Sequence, residues 1–231
     1  MLIGLLTSGN YINALIMAMS LAFVIFVINP VHEYAHAVTA YKLGDKTAKY
    51  AGRLTMNPLA SLDLIGALLL VLVGFGWAKP VPVNPRNFKN PKVGMAITAA
   101  MGPISNIILA FASLLVVAGI VNLTDRTNVT YYIALAFSFI AQINIILAVF
   151  NLIPLPPLDG SRVLFAVLPD SSYNKLMQYE RYLSYGIFAL LILSRLLGNF
   201  GIDLFAPLDF LEDKIYNGLY WVAELPFRLF A

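Results

Sequence analysis

The stretch YINALIMAMSLAFVIFVINPVHEYAHAV, residues 11–38, decides how this chain is to be read. Residues 11–31 carry no charged side chain, and about 20 apolar residues are what a helix needs to cross the hydrocarbon core of a bilayer. Two histidines and a glutamate then follow within five positions. The surrounding composition fits the first half of that stretch. Of 231 residues, 60% are hydrophobic and 12% charged, with a mean hydropathy of +0.79. Soluble domains run at roughly 45–50% apolar and roughly 25% charged, so a soluble globule and a disordered chain are both excluded. Cysteine is absent, which excludes disulfides, iron–sulfur clusters, thiolate zinc sites and a cysteine nucleophile. A net charge of +3 is too small to imply a nucleic-acid partner.

Working outward, stretches of spanning length recur near 94–121, 131–153 and 182–198, with a shorter glycine-bearing one at 62–76. No cleavable signal peptide is expected, because the first apolar helix lacks a basic leader and a small-residue cleavage site. Eight of the 15 Lys and Arg residues lie between 42 and 92, and three more between 162 and 181. The positive-inside rule therefore puts 41–93 and 160–181 on the cytoplasmic side and the loop 122–130 outside. Basic flanks on both sides of 62–76 favour a re-entrant hairpin turning near Gly66 or Gly74, shielded by protein, over a full crossing.

The expected fold is an all-α polytopic membrane protein. It has four to five transmembrane helices plus the short apolar segment 62–76. A small extended or strand-like region on the cytoplasmic side is read from 46–58 and from 78–85, where alternate prolines force extension. An exposed edge there would either pair with a peptide or serve as an inert connector. Residues 203–231 repeat apolar side chains at helical spacing (Leu208, Leu211, Ile215, Leu219, Val222). They read as an amphipathic helix lying in the membrane interface, packed back on the bundle, or packed on a second copy in a homo-oligomer. The whole of 1–231 is expected to form one membrane domain, with a catalytic core over about 11–168 and C-terminal helices over 180–231.

His32-Glu33-Tyr34-Ala35-His36 is an H-E-x-x-H pattern. Histidines four apart project from one face of a helix, and neutral imidazoles at that spacing suit a tetrahedral Zn²⁺. Glu33, beside the first of them, is placed to act as a general base towards a metal-bound water. The motif uses both histidines of the chain and sits at the end of an apolar helix, where ionisable groups are costly and usually functional. A catalytic zinc takes three protein ligands as a rule. Without a third histidine or any cysteine, the third must be an acid. Asp159 in NLIPLPPLDGSR (151–162) is the best candidate, because prolines hold its backbone out of a helix at membrane depth. Asp63 is the alternative, or else a helix N-cap. Asn151 is a candidate donor to a developing oxyanion, and Asn106, flanked by Gly102 and Pro103, a candidate substrate contact. Hydrogen bonding between helices is the competing account of both, and the preferred one for Gln142 and Asn144. Pro30, just ahead of the histidines, should disturb the helix there.

HEYAH on a membrane helix followed by NLIPLPPLDG resembles the site-2 protease family of intramembrane zinc metalloproteases. GRLTMNP (52–58), GFGWAKPVPVNP (74–85) and GPISN (102–106) are similar to its compact prokaryotic branch. The resemblance covers about 11–168. It implies one Zn²⁺ on His32, His36 and Asp159, Glu33 as general base, and Asn151 near the scissile carbonyl. It also implies transmembrane or membrane-associated protein substrates, a multi-pass place in a prokaryotic inner membrane, and an active site open to the cytoplasm. Filtering of substrates by PDZ or CBS domains is not expected in a chain this short. Two other classes compete. A zinc-binding scaffold or sensor has no use for Glu33, and a metal transporter would string ionisable groups along a path.

Overall fold

The computed structural model describes residues 9, 11–73, 76–125, 127–169 and 206–228, with scattered positions between 178 and 197. Three of its helices are long and apolar enough to cross a membrane: α1, Tyr11–Lys42; α5, Pro91–Leu123; and α6, Asn128–Asn151. The remaining helices are α2 (Thr47–Tyr50), α3 (Pro58–Ser61), α4 (Leu64–Val73), α7 (Asp159–Val167) and α8 (Ala206–Arg228). The fourth stretch of spanning length, 182–198, is described only in part, and its described residues are helical.

Burial in the three long helices is inverted relative to a soluble protein. Ile12, Leu15, Met19, Phe23 and Phe26 of α1 are exposed, as are Ile97, Ile104 and Ile108 of α5 and Ile133 and Ile146 of α6. Meanwhile Ser20, Thr98, Asn106, Ser113 and Asn144 are buried. Outward apolar faces around a partly polar interior are what lipid requires, because the bilayer satisfies no hydrogen bonds.

Helices α5 and α6 run antiparallel. A tight connection joins them, where Thr127 caps the start of α6 in a reciprocal pair with Thr130. Helix α1 packs across α6 through Met17, Leu21, Val24 and Ile28 against Ile143. The disturbance expected at Pro30 takes the form of a π-helical turn, Val24–Ile28, directly ahead of it, with the Asn29 N–H reaching back to the Val24 carbonyl. A widened turn of this kind is a common way for a helix to accommodate a local disruption near a functional site. Helix α8 lies back on the bundle, one of the three arrangements its pattern allowed. Its Ala223 is buried with Leu114 and Ala118 of α5 and Ala141 of α6, and Tyr216, Leu219, Tyr220 and Phe227 close over them.

Among the described residues of the segment 62–76, helix α4 accounts for ten, about 15 Å of helix against a core of about 30 Å; Gly74 lies outside the described residues. Its two ends meet. The Lys79 N–H donates to the Ser61 carbonyl at 2.9 Å. A Cβ on Gly66 would fall 2.1 Å from the Trp77 carbonyl oxygen, so glycine is needed for this approach. The chain therefore returns beside the helix it has just made.

The strand-like region is corrected. Among the described residues there is no β-strand. Residues 46–58 include the helical turn α2, begun where Asp45 accepts the Thr47 N–H at 3.0 Å. Residues 78–84 are extended, and three of their main-chain donors are engaged: Lys79 with Ser61, Val81 with Glu33, and Asn84 with Asp45. Pro80 and Pro82 have none to offer. The Arg53 guanidinium takes the carbonyls of Lys79 and Pro80. Alternate prolines produce extension, as expected, but they remove the donors a ladder needs. The segment forms one wall of the cavity described below.

Candidate metal centre

Helix geometry brings His32 and His36 onto one face of α1, with ring centroids 4.7 Å apart and planes at 82°. Their Nε2 atoms are 3.0 Å apart. His36 Nδ1 lies 2.8 Å from the Thr98 carbonyl of α5. A carbonyl can only accept, so Nδ1 carries a proton, which leaves Nε2, turned towards His32, as the nitrogen a metal can take. This is the outer-shell arrangement that orients a metal-binding imidazole.

Asp159 arrives from the other end of the sequence. Helix α6 ends at Asn151, the prolines of 154–157 carry the chain through turns, and Asp159 is the first residue of α7. The loop folds back so tightly that a Cβ on Gly160 would sit 2.1 Å from the Leu152 carbonyl oxygen. Asp159 Oδ2 then lies 3.4 Å from His32 Nε2 and 3.3 Å from His36 Nε2. Tetrahedral zinc with bonds of about 2.0–2.1 Å spaces its ligands by about 3.3 Å, and all three separations are near that figure. Two borderline nitrogens and one carboxylate oxygen are also the donor types zinc accepts in catalytic sites. The three residues fit the ion, and they are the group of potential ligands found together among the described residues.

The expected residues can now be placed. Glu33 faces the same cavity, with Oε2 accepting the Val81 N–H at 3.0 Å from the extended segment. Asn151 lines the cavity and donates one amide hydrogen to the Leu147 carbonyl at 2.9 Å. Asn106 also lines it, is 1% exposed, and has neither carboxamide atom hydrogen-bonded. Asn144 bonds within its own helix, to Ile140, rather than between helices. Asp63 accepts the Gly66 N–H at 2.8 Å at the start of α4, so the capping alternative describes it and the ligand alternative does not.

The cavity itself has a volume of about 1000 Å³ and is walled by α1, α5, α6, the extended segment 76–83, the loop before α7 and the first turns of α8. Pro103 carries no N–H, so the Ala99 carbonyl four residues earlier loses its helical partner beside the cavity. At this level the arrangement can hold a divalent cation next to a carboxylate base inside an enclosed, partly apolar space.

Three contributors were not singled out from the sequence. Thr98 supplies the carbonyl that orients His36. Gly102, read only as loosening its helix, admits both imidazoles: a Cβ there would lie 2.3 Å from His36 Nε2 and 2.6 Å from His32 Cε1. The four-residue spacing of Thr98, Gly102 and Asn106 was the available signal, since it puts all three on one face of α5. Asp45 is the third. It has no exposed surface and accepts hydrogen bonds from Thr47, Asn84 and Asn87, so it pins the far end of the wall that meets Glu33.

Comparison with known proteins agrees with this geometry. The sequence profile of Peptidase family M50 matches residues 112–194. The chain is 42% identical over 175 residues to "Putative zinc metalloprotease YwhC" of Bacillus subtilis, covering 75% of this chain and 78% of that one. It is 30% identical over 135 residues to "Putative zinc metalloprotease Rip2" of Mycolicibacterium smegmatis, covering 56% of this chain and 49% of that one. The Mycobacterium tuberculosis protein of the same name matches over the same shares. No solved structure matches the chain. With an enclosed His–His–Asp cluster in a bundle of apolar helices and a relative this similar over most of both lengths, the chain belongs to peptidase family M50, the site-2 protease family of intramembrane metalloproteases.

Proposed function

We propose that the chain hydrolyses peptide bonds of transmembrane or membrane-associated proteins, with His32, His36 and Asp159 holding one zinc ion and Glu33 acting as the general base. The single observation that carries this reading is the approach of Asp159 Oδ2 to within 3.4 Å of both imidazole Nε2 atoms, across more than 120 residues of sequence. Such a convergence of ionisable groups inside an apolar bundle is costly unless it serves a site.

Zinc, when bound, supplies a Lewis acid that brings the pKa of a coordinated water to about 7. Glu33 takes the proton of the attacking water and returns it to the departing amine, a role that requires a carboxylate within hydrogen-bond reach of both. The Val81 N–H holds that carboxylate in place from the opposite wall. The second amide hydrogen of Asn151, the one not given to Leu147, stabilises charge on the substrate carbonyl oxygen.

The bundle reads as a single membrane domain over 1–231, with α4 as a re-entrant hairpin whose two ends share one side of the membrane. The Lys and Arg distribution puts that side, and the mouth of the cavity, in the cytoplasm of a prokaryotic cell. Substrate is a membrane protein helix that must unwind before its carbonyls are accessible.

The test is cleavage of a fluorescently tagged single-span transmembrane peptide by the purified protein in detergent. Cleavage is expected, lost with a chelator and reduced by at least a hundredfold in Glu33→Gln. Cleavage that survives Glu33→Gln overturns the assignment of the base.

A further inference from the structure

Helix α5 presents Thr98, Gly102 and Asn106 at successive four-residue steps, on the face that closes the metal centre. The middle residue touches the imidazoles. The outer two are polar and buried, 2% and 1% exposed, and both line the cavity. Neither Thr98 Oγ1 nor Asn106 Nδ2 or Oδ1 has a hydrogen-bond partner. Ser20, Ser105, Ser113, Asn122 and Asn151 of the long helices each reach a carbonyl of their own helix, and Asn144, whose Oδ1 is also unpaired, still donates to Ile140 and does not line the cavity. Buried polar atoms left unpaired are expensive, and they persist where something else supplies the partner.

We propose that Thr98 and Asn106 are the two ends of a main-chain cradle for substrate. In it the Asn106 carboxamide pairs with a peptide group as both donor and acceptor, and the Thr98 hydroxyl pairs with another. The proposal rests on the protease reading above and adds to it which residues hold the unwound segment. The chemistry matches, since a carboxamide is complementary to a peptide unit and reads no side chain. The length matches as well. Eight residues of helix rise about 12 Å, which an extended chain at about 3.3 Å per residue spans in about four residues. The metal ligands abut the midpoint, at Gly102. The cradle therefore holds about two residues on either side of the scissile bond, and a substrate needs to unwind over about four residues to fill it. An extended peptide has its N–H and C=O groups free, whereas a helical one does not, so these contacts select the unwound form.

The experiment uses the full-length protein with a tagged single-span transmembrane peptide as probe, measuring kinetics, melting temperature and bound zinc for Asn106→Leu, Thr98→Val and the double variant. Both replacements keep the branching of the side chain and remove the unpaired atoms. The expected result is a drop in kcat/KM of about tenfold to a hundredfold for Asn106→Leu, carried mainly by KM, with a smaller drop for Thr98→Val. Zinc content should not change, and the melting temperature should be equal or higher. Wild-type kinetics in Asn106→Leu overturn the proposal, as does a loss of activity that comes with loss of zinc or of thermal stability, since either makes the residue structural. Because the chain has no cysteine, a second readout is independent of turnover. Asn106→Cys in a Glu33→Gln background should form a disulfide with a probe cysteine placed two residues from the scissile bond and not with one placed eight away. Equal cross-linking at both positions overturns the proposal. Retained cleavage in Glu33→Gln alone would instead count against the protease mechanism, so the two failures are separable.

Discussion

Gly102 lies against His36 so closely that a methyl group on it would come within 2.3 Å of the imidazole Nε2. That nitrogen is one of the three atoms that converge from His32, His36 and Asp159, and the ring is held from behind, because its Nδ1 is tied to the Thr98 carbonyl. One residue on α5 thus sets how near the helix can come to the two imidazoles of α1.

Gly102→Ala should therefore displace the ligands without altering their chemistry. Overpacking of this kind costs about 1–3 kcal/mol, and disturbing the groups that orient ligands lowers metal affinity by about tenfold to a hundredfold. Competition with a fluorescent zinc chelator measures it. An unchanged affinity would show that α5 can shift at no cost.

Asp45→Asn should loosen the wall that meets Glu33. The carboxylate accepts the Asn84 N–H at 2.7 Å and the Asn87 amide at 2.6 Å, and an amide in its place turns a donor towards donors. Hydrogen bonds to a charged acceptor are worth about 1.5–3 kcal/mol, so a stability loss of about 2 kcal/mol is expected, with reduced turnover. Burial works against the charge on Asp45, but hydrogen bonds from Thr47, Asn87 and Asn84 outweigh it and hold the carboxyl below its ordinary value of 3.8. A depressed folded-state pKa stabilises the protein above the unfolded value and is lost as pH falls through the folded one. The Asp45 contribution should thus be flat above about pH 5, begin to decline below about pH 4 and disappear only as the pH falls through the depressed folded-state value, as thermal melts of the variant and wild type down to acidic pH would reveal.

Glu212, at the mouth of the cavity, shifts the other way. Burial, then the neighbouring charges of Asp209 and Asp213, push its carboxyl up to about 7. The fold binds a proton that the unfolded chain has released, so stability declines as pH rises from about 4.5 towards 7. The melting temperature of Glu212→Gln should fall less than that of wild type between pH 5 and pH 8. Parallel curves for the two proteins would contradict this.

The hairpin reading of α4 predicts sidedness. In this cysteine-free chain, Leu59→Cys and Lys79→Cys flank the segment at exposed positions. Both should react with a membrane-impermeant maleimide from the same side of sealed vesicles. Labelling from opposite sides would make α4 part of a crossing segment.

Much of this architecture was legible before any coordinates. Apolar runs of 20 residues and a chain whose histidines all fall in one H-E-x-x-H are local signals, and Asp159 was the acid preferred over Asp63 because of the prolines ahead of it. What stayed hidden depends on which faces meet. Nothing near Gly102 announces that imidazoles will press on it, and nothing near Asp45 that Asn84 and Asn87 will return to it, because both relations join segments about 40 to 70 residues apart. The extended segment shows the opposite failure. Its prolines correctly signalled extension, yet the same prolines remove two donors, and Ser61, Glu33 and Asp45 take three more, so no regular strand forms.

The central claim is that His32, His36 and Asp159 share one ion, and the zinc content of purified Asp159→Ala, beside wild type and Glu33→Gln, tests it most directly. About one zinc per chain is expected in wild type and in Glu33→Gln, and well under half of that in Asp159→Ala after dialysis against a weak chelator. A full equivalent of zinc retained in Asp159→Ala would contradict the account.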